Sequence, residues 1–442
     1  MKRLISCVLA LLYIMAGFAS GTWILHGKEY RVDTLYHAYI GPGTTQTSIK
    51  LAGPVNLRVF YTTTDLKNEN VDVRAIKHKD TLTGLGTVSN AAESHSTSNR
   101  SYFAGINADF FSSSMPCGIT VVDGEVYCSD QASGWSLFGI DANKIPYSGG
   151  GDFYVKLTAP DYSTAELSAM NLERETNGLV LYSSRKGANT GTDGNGSEVV
   201  LIPDGEGNFL TPGATVRMRV QGNPNHAGSM PIPDNGYILS GSGTKESFVS
   251  NLSEGDEVEV RCAIRFNGFT GGKIQQALGG CPMLVSGGKV LDTENALDHL
   301  TSAQPRTAVG YNAEKNKLVM LVADGRSSIS VGPISKVLAD IMIYAGCSEA
   351  MNFDGGGSST FYVKGEGVIN QPSDGSERSV TDGLYLSTDA PQNDMTITTI
   401  RFMDYAKTLN QGDAYTPVIY GYNQYGVLVD RNVEGVTLSC GS

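Results

Sequence analysis

The residues most able to do chemistry lie in one run, Met351-Asn352-Phe353-Asp354-Gly355-Gly356-Gly357-Ser358-Ser359-Thr360. Three consecutive glycines remove side chains for a full turn. A ligand can then approach the backbone, and successive amides can form an anion-binding concavity. Asn352 and Asp354 precede the glycines, and Ser358 and Thr360 follow them. At alternating positions of a strand, Asn352 and Asp354 would point to one face. The arrangement suits a carboxylate and an amide beside a phosphate or sugar cradle. A tight hairpin with incidental polar residues would have the same spacing.

A second pair with the same spacing occurs in Gly105-Ile106-Asn107-Ala108-Asp109-Phe110-Phe111. Two Asn-x-Asp pairs far apart in sequence could converge. Paired carboxylates are the usual apparatus of glycosidic cleavage, one protonating the leaving oxygen while the other activates water or attacks. An Asp that only caps a turn would look the same. Arginines supply a third ingredient. Arg306 opens an apolar strand, Arg326 follows Asp324-Gly325 after the next apolar run, and Glu377-Arg378 precedes Val380 to Asp382. A guanidinium fits a phosphate with two parallel hydrogen bonds, although any one of these could equally form a surface ion pair. Other nucleophile systems are missing from the sequence. It has no G-x-S-x-G elbow, no HExxH, and no lysine after the glycines as a P-loop requires.

These residues must be held by strands and one clear helix. Ile334, Val337, Leu338, Ile341, Met342 and Ala345 fall on one apolar face, with Pro333 at the first turn and Gly346 at the C-terminal end. The helix lies between the apolar runs 317–323 and 350–353, so the local order is strand, helix, strand, glycine loop. Earlier strands are expected at 55–61 and 71–76. Residues 131–270 are polar and turn-rich, with short strands at 178–182, 199–202, 216–220 and 257–264. With 53 Gly and 21 Tyr, the composition favours turns and short strands over helical bundles.

The N-terminus has the order of a secretory signal peptide: Lys2 and Arg3, an apolar run from Leu4 to Ala16, then small residues at Gly17, Ala19, Ser20 and Gly21. The run is short for a membrane span, which needs about 20 residues. A secreted, periplasmic or cell-surface protein is therefore expected, with no stable span after cleavage of residues 1–20. Of the cysteines, Cys117 and Cys128 flank the turn-like Asp123-Gly124 and could face each other across a hairpin as a disulfide; buried free thiols are the competing expectation. A balance of 33 basic against 45 acidic residues gives a net charge of −12, with no basic stripe, which argues against a nucleic-acid partner. No C-x-x-C pair suggests structural zinc. The loop Asp193-Gly194-Asn195-Gly196 could hold Ca²⁺ through oxygen ligands, but its spacing does not match the twelve-residue calcium loop, so no cofactor is expected.

Taken together, these pieces resemble the phosphodiester glycosidase family. The pieces carrying the resemblance are Asn107 to Phe111, Ala277 to Val285 with Gly287-Gly288, Arg306 to Gly310, Val322 to Arg326, the helix, Asn352 to Thr360, and Pro372 to Arg378. The resemblance implies hydrolysis of a sugar-1-phosphodiester, releasing the sugar (an N-acetylglucosamine-like one) and a phosphomonoester. It implies a site lined by Asp109, Arg306, Asp354 and Glu377 or Arg378. Asp354, Asp109 and Glu377 would be the catalytic acids. Arg306 or Arg378, with the amides of Gly355, Gly356 and Gly357, would hold the phosphate, and Asn107, Asn352, Ser358, Asp324 and Arg326 would line the binding surface. Asp382 departs from the pattern, which has a smaller or amide side chain there.

The expected fold is α+β, mostly antiparallel sheet with few packed helices over residues 21–390. Residues 131–270 would form a second lobe of it. Residues 391–442 resemble part of an immunoglobulin-like β-sandwich. Two other functions fit the same features: a non-catalytic surface glycan-binding protein, and a hydrolase of another envelope glycan linkage.

Overall fold

A computed structural model describes residues 21–130, 135–205, 209–267, 269–270, 272–293, 301–403, 412 and 414–437. The expected signal peptide and Cys440 lie outside them. Among the described residues the chain is mostly antiparallel β, with three α-helices, Val88–Ser94, Glu246–Ser250 and Ser335–Tyr344. None is long and apolar enough to cross a membrane.

The strand Lys317–Ala323 shows why a continuous apolar run becomes a central strand. Leu318, Met320 and Val322 enter one core, while Val319, Leu321 and Ala323 enter another on the opposite face. Both faces are covered, so the residues need not alternate with polar ones. The strand sits in a nine-stranded sheet, between Asn56–Asp65 and Arg306–Tyr311. The helix Ser335–Tyr344 packs Val337, Leu338, Ile341 and Met342 onto one face of that sheet, against Leu25, Leu284 and Val285. Each such side chain contributes roughly 1.5–3 kcal/mol by leaving water. Ile334 and Ala345 are the cap residues. Gly346 (φ 98°) then turns the chain out of the helix in a conformation that favours glycine.

The helix carries the chain across Arg306–Tyr311. As a result Lys317–Ala323 and Glu349–Asn352 flank that strand, both antiparallel to it. Arg306 pairs with Ala323, and Ala308 with Asn352, so one sheet edge collects the start of one strand and the ends of two. A five-stranded sheet runs in the order Gly367–Val368, Phe361–Val363, Ser101–Asn107, Asp382–Thr388, Asp72–Lys77. It packs on the nine-stranded sheet through Phe103, Ile106, Phe353, Phe361, Leu384 and Leu386. Here Asn107 ends its strand opposite Gly383, beside the start of the next. The two edges meet, and that junction holds the residues of interest.

The turn-rich middle of the chain forms most of a thirteen-stranded sheet with its own core. Its polar character has a simple origin. Along Glu257–Phe266, Val258, Val260 and Cys262 are buried, whereas Glu257, Glu259 and Arg261 are exposed, as befits a sheet with one solvated face. The sheet also takes in Thr120–Val122, Glu125–Cys128 and Ile274–Gly280, on either side of 131–270.

The hairpin around Asp123-Gly124 forms, but the expected disulfide does not. Both turn residues have positive φ, which fixes a two-residue turn and its register. That register sets Cys128 opposite Thr120, with Cys117 three residues further along and bonded through its amide to the Phe110 carbonyl. Cys117 and Cys128 are free thiols, as are Cys262, Cys281 and Cys347. At the calcium candidate, one oxygen of Asp193 accepts from Arg174 and from the Asn195 amide, and the other accepts from the Asn195 side chain. The loop's carboxylate is thus committed to protein donors.

Thr399–Phe402, Ile419–Tyr422 and Leu428–Asp430 form a three-stranded antiparallel sheet at the C-terminal end. It docks on Lys28–Gly41 through Tyr420 and Tyr422 on Ala38, and the Tyr422 hydroxyl donates to the Tyr39 carbonyl at 2.9 Å. The described residues hold three strands where a complete sandwich has about seven.

Candidate active site

The two Asn-x-Asp segments do converge. Asn107 is fully buried and acts as a strut. Its Nδ2 donates to the Asp354 carbonyl (2.7 Å), and its Oδ1 accepts from Thr307 Oγ1 (2.8 Å) and the Thr360 amide (3.1 Å). The Asp354 amide donates to the Ala108 carbonyl at 2.8 Å, so Asp354 and Asp109 are held on adjacent backbone. Asn352 plays another part. Its strand ends there, and its Nδ2 donates to the Cys281 and Phe353 carbonyls. It fastens the Cys281-Pro282 segment to the loop, and because the strand ends at Asn352 the alternation expected to pair it with Asp354 does not extend that far.

Asn107 therefore carries three hydrogen bonds from one side chain, two of them fully buried. Asn107→Ala is expected to destabilise the fold by about 3 kcal/mol, at roughly 1 kcal/mol for each bond. Denaturant unfolding with an unchanged m-value would measure it.

After Asp354 the chain makes a single 3₁₀ turn, Gly356–Ser358. Gly356 (φ 60°) takes a backbone conformation that favours glycine. The glycines also admit arginines. A Cβ on Gly356 would lie 3.0 Å from Arg326 Nη2, and one on Gly357 would collide with Arg378 Nη2 and the Asp374 carboxylate. A Cβ on Gly355 would sit 2.7 Å from the Pro305 carbonyl and beside the Arg306 stem. The loop's amides, by contrast, are partly consumed. Gly356 donates to the Pro305 carbonyl and Ser358 to the Gly355 carbonyl, and the Gly355 amide serves the Asp354 carboxylate. Positive charge here comes chiefly from the three guanidinium groups.

Arg306 is buried, with 1% of its surface exposed. Its Nη2 donates to the Ser302 carbonyl at 2.5 Å and its Nε to the Pro333 carbonyl at 3.5 Å. No salt bridge joins it to a carboxylate among the described residues. Burial, then the neighbouring Arg326, pulls its pKa down to about 10, so it is still a cation at neutral pH. Arg326 donates to Gln304 Oε1 (3.1 Å) and Ser373 Oγ (3.5 Å). Arg378 grips Asp374 with two donors (2.6 and 2.8 Å) and reaches Ser358 Oγ at 3.3 Å.

Burial pushes the Asp354 carboxyl up to about 6, against the opposing pull of Ser358, Arg378 and the Gly355 amide. Asp109 is held well above the usual carboxylate range, by complete burial and then by Asp382. Its carboxylate is boxed in by glycines: a Cβ on Gly279 would lie 2.7 Å from both oxygens, and one on Gly118 2.9 Å from Oδ2. Asp324 is raised by burial and holds the Gln371 amide at 2.8 Å. Glu377 is engaged elsewhere, accepting from the amide (2.9 Å) and hydroxyl (2.5 Å) of Ser89 in the first turn of Val88–Ser94. Sequence reasoning missed Lys77 and the role of Asp382, both fully buried here. A cleft of about 740 Å³ opens in the second lobe, lined by Arg185, Phe209, Asp234 and Tyr237 among others. None of the charged residues around the glycine loop lines it.

Several known proteins are similar to this chain. It is 40% identical to the SPbeta prophage-derived protein YomE of Bacillus subtilis (strain 168) over 88 residues, which is 20% of this chain and 13% of that one. A solved structure from Synechocystis superposes with a TM-score of 0.60 at 16% identity, covering 78% of this chain and 62% of the other. One from Burkholderia pseudomallei K96243 superposes with a TM-score of 0.57 at 22% identity, covering 76% and 75%. Both establish a shared fold. Residues 212–387 match the model of the phosphodiester glycosidase family, a family of glycosidase-type hydrolases. That stretch includes Arg306, Asp324, Arg326, the glycine loop, Arg378 and Asp382, while Asn107 and Asp109 precede it. Over residues 212–387, about two fifths of its length, the chain is similar to the phosphodiester glycosidase family.

Proposed function

We propose that the chain is an exported hydrolase that cleaves the glycosidic bond of a sugar-1-phosphodiester, releasing the sugar and a phosphomonoester. The observation that carries this reading is the placing of three guanidinium groups, Arg306, Arg326 and Arg378, around a glycine turn whose first flank is the half-buried Asp354. Cations at that density suit a phosphate. A carboxyl with a pKa near 6 changes charge close to the operating range of a general base. The water oxygen attacks the anomeric carbon while its proton passes to Asp354. The bond from that carbon to the phosphate oxygen breaks, and its electron pair leaves on the phosphate, where the arginines stabilise it. Because a phosphate leaves readily, protonation of it matters less than for an ordinary glycoside. The N-terminal charge, apolar run and small residues support export. Residues 21–390 are the catalytic unit, and 391–442 an accessory immunoglobulin-like element.

Purified mature chain incubated with UDP-N-acetylglucosamine and with an aryl N-acetylglucosamine-1-phosphodiester should release free sugar. Release from neither, nor from a panel of other sugar-1-phosphodiesters, would favour a glycan-binding protein on this fold. Arg378→Ala breaks an ion pair that is about 40% exposed on each side, so stability should change by no more than about 1 kcal/mol. KM should nonetheless rise about tenfold or more through loss of a phosphate contact. Steady-state kinetics together with thermal melts would separate the two effects.

A further inference from the structure

Behind Asp354 lies a second acidic pair that the reaction above does not use. Asp109 and Asp382 are both essentially inaccessible to solvent, and Asp382 Oδ1 accepts the Asp109 amide at 2.9 Å. Their surroundings differ. Both oxygens of Asp382 have donors, since Oδ2 accepts from Thr381 Oγ1 at 2.9 Å. Lys77, likewise buried, stands opposite Asp382 across two paired strands, its Nζ bonded to the Thr381 carbonyl at 3.1 Å. Asp109 Oδ2 accepts the Gly118 amide at 2.8 Å, and the Phe110 amide also favours the charged form of this carboxyl, against the larger effect of burial. Its Oδ1 is buried with no hydrogen-bond partner, enclosed by the backbone at Gly118 and Gly279.

Leaving an anionic oxygen buried and unpaired costs far more than leaving a neutral hydroxyl so. Two neighbouring carboxylates in a dry site do not both ionise readily. A single negative charge therefore settles on Asp382, which has two donors and a cation, and the proton settles on Asp109. Other groups facing the pair do not upset this, and the Asp354 carboxylate pushes Asp109 in the same direction as Asp382 does. Cys117, Cys128 and Tyr385 are held protonated by burial, and His78 is held neutral. Arg378 acts on Asp354. We propose that Asp109 and Asp382 hold one proton between them, seated on Asp109, and that Asp382, with Lys77 opposite it on the neighbouring strand, is a positioning residue. It keeps Asp109 neutral so that an anionic phosphate bound at the arginines meets no further negative charge behind Asp354. The inference rests on the hydrolase reading for its purpose, though not for the location of the proton.

The test is Asp382→Asn, with Asp109→Asn as the second variant. In the wild type at pH 7, infrared difference spectra against Asp109→Asn should show the carbonyl band of one buried carboxylic acid. In Asp382→Asn that band should vanish, because Lys77 then draws the charge onto Asp109. The displaced charge lies next to Asp354 and the phosphate, so KM should rise about tenfold. The acid limb of kcat/KM should move up by about one pH unit. A merely structural Asp382 would leave the band and the limb in place. Retention of the band in Asp382→Asn, or its absence from the wild type, overturns the proposal. Failure of the wild type to hydrolyse any sugar phosphodiester counts against the hydrolase reading alone, since the infrared arm still locates the proton.

Discussion

Asp354→Asn should lower kcat by about 10³-fold, within the usual range for removal of a general base, and should leave the protein at least as stable as before. The stability half follows from the sign of the linkage. The carboxyl's pKa rises from 3.8 to about 6 on folding, so between those values the native state binds more protons than the unfolded chain. Stability then falls as pH rises through that window, and the penalty is fully present above about pH 6. Asparagine carries no charge and can still accept from Ser358. At pH 7 the variant should gain on the order of 2–3 kcal/mol, a few degrees in Tm for a chain of this size. Below about pH 4 the two melting curves should coincide. Melts at pH 4 and 7, beside turnover at pH 7, decide both halves. Retained turnover would remove Asp354 from the chemistry. A Tm loss at pH 7 would mean that the loop needs the anion.

Arg306→Met should raise KM by about a hundredfold while moving stability little. A fully buried cation with no carboxylate salt bridge among the described residues is held at an electrostatic disadvantage, as its depressed pKa indicates. What it lacks is an anion, and a substrate phosphate would supply one. Methionine removes that disadvantage and fills much of the space, at the expense of bonds to the Ser302 and Pro333 carbonyls. The opposing effects should nearly cancel. A hundredfold change corresponds to about 2.7 kcal/mol of binding. Inorganic phosphate offers a check that needs no turnover: it should raise the Tm of the wild type and not that of Arg306→Met. Equal stabilisation of both would place the phosphate elsewhere.

The amino-acid sequence by itself determined the features that depend on local pattern. The helix face from Ile334 to Ala345, the apolar run 317–323 and the triple glycine announce themselves through spacing, and the structure places them within a residue or two. The resemblance carried by Arg306, Asp324 to Arg326, Asn352 to Thr360 and Arg378 was likewise legible, because a glycine turn that must admit arginines tolerates no side chain. Tertiary structure decided the rest. The two Asn-x-Asp segments are far apart in sequence, and only the meeting of two sheet edges sets Asp109 beside Asp354 and makes Asn107 a strut. Hairpin register, fixed by the positive φ angles at Asp123 and Gly124, decided that Cys117 and Cys128 stay apart. Glu377 and Asp382 show the same limit most clearly. Both are carboxylates near the glycine loop's sequence partners, yet one caps a helix in solvent reach and the other is buried against Lys77. A residue type states which charges it can carry. Burial and neighbours, which no short stretch of sequence encodes, decide which of them it does carry.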